Sequence, residues 1–439
     1  MGRLILLVAF VVELALAAFC LTTRSPQEKA RSVIRILGFA AFVILTLTSV
    51  IQWSFRWFGL AALLFLWSVR SLGTLGNAKA PTGGDRAGST VFRAITAVLL
   101  LFGALTPALV FPPHESLATT GPYSVASVTV TYTDPQRIEQ FTDGRENRRV
   151  NAHFWFPQNR DKPNRDKDET YPLVVFSHGG LGTETSNESL YRELASHGYV
   201  VCSIGHPYHA FWTKGEDGRT IFVSMDYFRE IQSEDAKRDK EQSLRFYRKW
   251  METRTGDINF VIDMILERAI SGADGVYRLI TIDTIGVIGH SLGGAAALAI
   301  PRQRDDITAV IALESPFLYD IVSVEDDEFV WRDEVYPVPV LNIYSDSAWS
   351  HLSEWAQYAE NFALLSTPSG TAHSLHLPGA GHFSLTDLPL ASPLLVRLLE
   401  GRAATPGYAE YVQAVNSACL DFLERYLKGQ GRLTSRGLP

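Results

Sequence analysis

Ile285-Gly-Val-Ile-Gly-His-Ser-Leu-Gly-Gly294 joins a short β-branched apolar run to a helix-forming run through one sharp reversal. Ile285–Ile288 reads as a buried strand and Leu292–Ile300 as an apolar helix. Between them, Gly289-His290-Ser291-Leu292-Gly293 has the G-x-S-x-G spacing of a nucleophile elbow, and it lies in the strand-turn-helix context that such an elbow requires. Gly289 and Gly293 omit side chains that would collide in so tight a turn, and the Ser291 hydroxyl is left exposed at its tip. A chance Gly–Ser turn is the plainer alternative, but it gives no reason for a strand on one side and a helix on the other.

Outward from this elbow, β-like runs recur at Ser127–Thr133, Val150–Phe156, Leu173–Ser177, Tyr199–Ile204, Ala309–Leu313, Val338–Tyr344 and Ser374–Leu377. Helix-length amphipathic stretches fall at Ser186–His197, Trp349–Leu365 and Tyr408–Leu427. Short apolar strands alternating with helices predict an α/β domain over 122–439, a mostly parallel eight-stranded sheet flanked by helices, with the first two strands forming an antiparallel edge. A helical insertion occupies about 206–280. Its charged part, Phe228–Arg254, reads as a solvated helix with interleaved charges, or as a lid, and Ile258–Leu266 packs on the sheet.

A serine hydroxyl needs a general base, and His382 in Gly379-Ala-Gly-His-Phe383 follows the last strand, where the chain order nucleophile, acid, base places it. His351, His373 and His376 lie in helix-like or strand-like surroundings and read as packing or surface residues. Two carboxylates follow strands, Glu314 and Asp346; fold analogy alone favours Asp346, after the penultimate strand. Ser177-His178-Gly179-Gly180-Leu181-Gly182 follows another strand and offers the N–H of Gly180 or Leu181 to pair with that of Leu292 around an oxyanion. His178, Gly179, His290, His206 and Tyr208 are expected to line the substrate site; Pro207 argues against a helix-borne metal pair at His206 and His209. No metal or organic cofactor is expected.

The chain has 439 residues, with 40 Lys and Arg against 47 Asp and Glu, so no basic field exists to hold nucleic acid. Three cysteines do not make a disulfide framework. Apolar residues crowd into 1–111, where four runs, at about 4–21, 33–52, 53–69 and 91–111, are long enough to cross a bilayer, the third being the least regular. A cleaved signal peptide competes for the first run, but the runs that follow favour an anchored bundle. Arg24, Lys29, Arg31 and Arg35 lie between the first two runs, and Arg70, Lys79, Arg86 and Arg93 between the last two. Held inside, they place the C-terminal domain outside, beyond a linker at 112–121, in a multi-pass plasma-membrane protein.

Ser177-His-Gly-Gly-Leu-Gly182, Leu194-Ala-Ser-His-Gly-Tyr199 and Gly289-His-Ser-Leu-Gly-Gly294 together resemble the plasma-type platelet-activating-factor acetylhydrolases, over about Tyr171 to Phe383. The resemblance implies an α/β-hydrolase fold and a serine esterase of lipid degradation that acts on short acyl groups of phospholipids. It also implies that the acid is the residue of the Ala312-Leu313-Glu314 context, Glu314 in place of the family's aspartate, with Asp346 as the alternative. The expected partners are an ester or phospholipid substrate and the bilayer, with no protein partner. Polyester, dienelactone-like or peptide hydrolysis by the same triad is a rival reading. A non-catalytic membrane transport or sensor protein is a rival of another class.

Overall fold

The computed structural model describes residues 2–24, 27–76, 87–158, 169–366, 370–401 and 407–431. The chain divides into two units, Met1–His114 with Ala391–Leu399, and Glu115–Leu390 with Glu400–Pro439.

In the first unit, α1 (Gly2–Thr23), α2 (Glu28–Leu47), α3 (Phe58–Gly76) and α4 (Ala87–Val110) are each long and apolar enough to cross a membrane. The second helix begins five residues before the expected run and ends at Leu47, because Ser49 turns left-handed (φ 59°) and closes the helix. Lys29, Arg31 and Arg35 are therefore in the first turns of α2 rather than in a loop, and the Arg35 guanidinium lies 4.5 Å from the Trp67 ring centre. Arg70 and Arg93 are likewise helical, while Lys79, Pro81 and Arg86 lie outside the described residues.

The second unit is built on an eight-stranded sheet in the order β1-β2-β4-β3-β7-β8-β11-β12. The strands are β1 (Ser124–Ile138), β2 (Asn147–Gln158), β3 (Tyr171–Ser177), β4 (Val200–Ile204), β7 (Ile280–His290), β8 (Ile307–Leu313), β11 (Val340–Ser345) and β12 (Ala372–Leu377). β1 and β2 are antiparallel and β2 runs antiparallel to β4; the remaining pairs are parallel. Two small hairpins that the alternation did not reveal complete the numbering, β5 (Trp212–Lys214) with β6 (Thr220–Phe222), and β9 (Ile321–Glu325) with β10 (Glu328–Trp331).

The central strands are buried on both faces, which is why they read as continuous apolar runs. Alternation along β7 sends Ile285 and Val287 to one core layer and Ile288 to the other. On the first face lie α7 (Lys240–Ile270) and α8 (Leu292–Ala299); on the second lie α5 (Glu188–Ser196) and the C-terminal helix Tyr408–Leu427. The expected helix Trp349–Leu365 is instead interrupted: a turn at His351–Trp355, where His351 bonds Glu354 and stacks on Trp355, separates Asp346–Trp349 from Ala359–Ser366. The insertion is also two helices, since α6 (Met225–Ser233) stops before Asp239 caps α7 by accepting from Gln242 N–H at 2.8 Å.

Candidate active site

Parallel strands bring all their carboxyl ends to one edge, where sites of open α/β sheets form. Ser177, His290, Leu313, Ser345 and Leu377 end neighbouring strands there, and Ser291, Glu314, Asp346 and His382 all follow such ends.

The chain turns at Ser291 with φ 52° and ψ −125°, a conformation that a side-chain-bearing residue rarely adopts. Its N–H donates to Leu313 O at 2.8 Å, tying the turn to β8. A Cβ on Gly293 would stand 2.1 Å from Ser177 O, and one on Gly289 would stand 2.2 Å from Gly293 O, so the close approach of α8 to β3 and β7 requires glycine at both. Leu292 opens α8, where the first N–H groups have no intrahelical acceptor.

Of the two candidate acids, Glu314 contacts the histidine. Its Oε1 accepts from His382 Nδ1–H at 2.7 Å and its Oε2 from Ser345 N–H at 2.7 Å. Burial works against the charge of both groups, yet the pair overrides it: bonding to His382 and Ser345 holds Glu314 below the usual carboxylate value. Burial alone would lower His382, but the Glu314 carboxylate bonded to it raises it above the ordinary imidazole value. Asp346 faces elsewhere, accepting from His376 Nε2 at 2.9 Å and from Gly379 N–H at 2.9 Å, and so shapes the loop that carries His382. The His382 N–H also donates to Ser347 Oγ at 3.2 Å.

The expected substrate-lining residues divide. Gly179 lies against the Ser291 turn, its Cβ position 3.6 Å from Ser291 Cβ and 2.9 Å from His290 Nδ1. His290 is almost fully buried, donates from Nε2 to His382 O at 3.2 Å, and is pushed down to about 3 by burial and by the neighbouring His382 charge. His178 and His206 do not form a pocket wall, because both rings are fully buried. His206 donates from Nδ1 to Asp257 at 3.1 Å, leaving Nε2 to accept from Ser177 Oγ–H at 2.9 Å; burial lowers it to about 4. His178 is driven well below its ordinary value by burial and the Arg254 charge; its Nε2 lies 3.0 Å from Gly205 O and its Nδ1 2.8 Å from Gly179 O, and a neutral ring donates to one of the two. Tyr208 has φ 68° and stacks on Phe141 with ring centres 5.2 Å apart.

Several contributing residues were not expected. Asp257 is fully buried and held bidentate by Arg148 at 2.6 and 2.7 Å, which keeps its carboxyl far below the usual range against the burial that opposes it. Arg254, which ends the run expected to be a solvated face, is fully buried. A signal for it exists: Tyr247, Met251, Arg254, Ile258, Val261 and Ile265 fall at helical spacing, so Arg254 is the one cation on a buried apolar stripe.

Residues 147–432 match the family described as platelet-activating factor acetylhydrolase, isoform II. Platelet-activating factor acetylhydrolases of Canis lupus familiaris and Gallus gallus are 23% and 25% identical, over 62% and 59% of this chain and 60% and 63% of their own. A cutinase of Thermobifida alba, est2, is 25% identical over 50% of this chain and 55% of its own. The chain thus spans about three-fifths of the length of the acetylhydrolases it matches. A ferulic acid esterase from Streptomyces cinnamoneus has the same fold, with TM-score 0.54 and 21% identity, over 73% of this chain and 94% of that one.

Proposed function

Since the chain belongs to the platelet-activating factor acetylhydrolase, isoform II, family, we propose that it is a membrane-anchored serine esterase that cleaves short acyl groups from phospholipids through an acyl-enzyme. The observation that carries the reading is the Glu314–His382 bond, at the same sheet edge as the positive-φ Ser291 turn.

In this reading Ser291 Oγ attacks the ester carbonyl and its proton passes to His382 Nε2. The imidazolium is held by Glu314, buried and ionised, through Nδ1–H. Negative charge on the carbonyl oxygen is met by the Leu292 N–H and by that of Gly180 or Leu181. Collapse expels the alcohol, which takes the proton from His382. Water, deprotonated by His382, then attacks the acyl carbon, and as that intermediate collapses His382 returns the proton to Ser291 Oγ and the carboxylic acid leaves. These residues need no metal or organic cofactor for the sequence of steps.

In this reading the four helices, each long and apolar enough to cross a membrane, anchor the protein in the plasma membrane, and the basic residues at their ends, held on the cytoplasmic side, leave the catalytic domain outside. An anchored site suits a lipid ester. The similarity to cutinases favours, as a second reading, a polyester hydrolase with the same residues.

The test is hydrolysis of phospholipids with acetyl, butanoyl, octanoyl and hexadecanoyl sn-2 groups by the detergent-solubilised full chain, with Ser291→Ala as control. Serine-dependent turnover of the short chains is expected. Inert phospholipids alongside cleaved polyester would select the second reading, and turnover surviving in Ser291→Ala would remove both.

A further inference from the structure

A loop that presents N–H groups to an oxyanion must have its peptide planes held, because carbonyl and N–H point in opposite directions across each trans peptide. In the loop after β3, three successive carbonyls are held from one side by the insertion. Arg254 donates to His178 O at 2.5 Å and to Gly179 O at 3.1 Å, and Tyr227 OH donates to Gly180 O at 2.7 Å. The N–H groups of Gly179, Gly180 and Leu181 must then face away from α6 and α7. Neither the Gly180 nor the Leu181 N–H has an acceptor among the described residues, although Gly182 N–H closes the turn onto Gly179 O at 3.1 Å.

The charge of Arg254 is as informative as its geometry. Every hydrogen bond it makes goes to a neutral acceptor: the two carbonyls, Ser177 Oγ at 3.4 Å and Tyr227 OH at 3.5 Å. Among the described residues it forms no ion pair with a carboxylate, whereas Arg148, also buried, is paired with both Asp257 and Glu139. A fully buried cation without a bonded anion is costly, and that cost is recovered where negative charge develops nearby. Behind a row of peptides whose N–H groups face away from it, in a loop whose Gly179 lies against the Ser291 turn, the charge favours the oxyanion over the neutral ester.

We propose that Arg254 and Tyr227 are positioning residues of the oxyanion hole: they clamp the carbonyls of His178, Gly179 and Gly180 so that the N–H groups of Gly180 and Leu181 are preset for the transition state. The inference rests on the serine esterase reading and assigns the insertion a role in catalysis besides covering the sheet.

Full-length detergent-solubilised wild type, Ser291→Ala, Tyr227→Phe, Arg254→Lys and Arg254→Met are assayed on 4-nitrophenyl acetate and on its thiono analogue, whose C=S sulfur is a weak hydrogen-bond acceptor. Losing a whole donor from such a hole costs about 100- to 1000-fold, so Arg254→Met should lose kcat on the oxo ester by roughly 100-fold, Arg254→Lys by less, and Tyr227→Phe by roughly 10-fold. KM should change little, and the thiono rate should fall far less, so that the oxo-to-thiono ratio shrinks. Tyr227→Phe keeps the ring that stacks on His209 with centres 3.8 Å apart, and decides the matter should the buried arginine variants not fold. Oxo and thiono rates falling together, or an unchanged Tyr227→Phe, would overturn the clamp while leaving the esterase in place. Absence of Ser291-dependent turnover in the wild type would overturn both.

Discussion

The Asp346 carboxylate is held by His376 Nε2 and by the Gly379 N–H, both at 2.9 Å, and this leaves Glu314 as the carboxylate bonded to His382 Nδ1. Two acids at neighbouring strand ends therefore have separate partners, one bonded to the His382 ring and one to the loop that carries it.

Glu314→Gln should lower kcat/KM on an activated ester by about 1,000- to 10,000-fold, in the range seen when the acid of such a triad loses its charge. Asp346→Asn retains an acceptor for Gly379 N–H and should cost about tenfold or less. Steady-state rates of the two variants decide between them, and a larger loss at Asp346 would reverse the assignment.

If His382 is the general base, activity requires its neutral form. Because Glu314 raises it above its ordinary 6.5, the acid limb of kcat/KM should have its midpoint above that value, with rate lost as pH falls through it. In Glu314→Gln the burial that disfavours the imidazolium remains, opposed by the charge of Glu400 without that of Glu314, so the residual activity should titrate at lower pH. A pH profile of both proteins gives the answer; an unmoved midpoint would show that Glu314 does not set it.

Gly293→Ala places a methyl 2.1 Å from Ser177 O and 2.3 Å from His178 O, backbone atoms that do not rotate away. Overpacking costs about 1–3 kcal/mol, and relief must push α8 and the β3 loop apart. A lower unfolding temperature together with a fall in kcat is expected; loss of stability alone would mean that the loop absorbs the strain without disturbing the site.

Asp257→Asn removes the carboxylate shared by Arg148, Arg137 and His206. Breaking a buried charge pair from one side costs about 3–5 kcal/mol. The full chain in detergent should unfold at distinctly lower temperature, and a shift within error would mean that water or Glu139 compensates.

If the basic helix ends are cytoplasmic, protease added to intact cells should digest the catalytic domain. A domain protected until lysis would invert the orientation.

The strand-turn-helix at Ser291 was legible in the sequence because it is local: ten consecutive residues, Ile285 to Gly294, contain the strand end, the glycines that permit close approach, the serine and the helix start. The central strands were legible for a related reason, since a strand buried on both faces records its environment in its own apolar run. The four apolar helices could be read from length and hydropathy, though their ends moved where Ser49 and the charged first turn of α2 set the boundary.

What the tertiary structure decided were choices between equivalent neighbours. Glu314 and Asp346 both follow strands, and only the path of the His382 loop, which turns the imidazole toward β8 rather than β11, separates them. His178 and His206 follow strand ends as catalytic residues do, yet their rings point into the protein because Asp257 and the Gly205 carbonyl wait there. Arg254 lies 37 residues before Ser291 in the chain, and the fold of the insertion brings it behind the β3 loop. Residue type and spacing determine which chemistry is on offer; which side chains meet is settled by packing between segments far apart in sequence, where no local pattern records the partner.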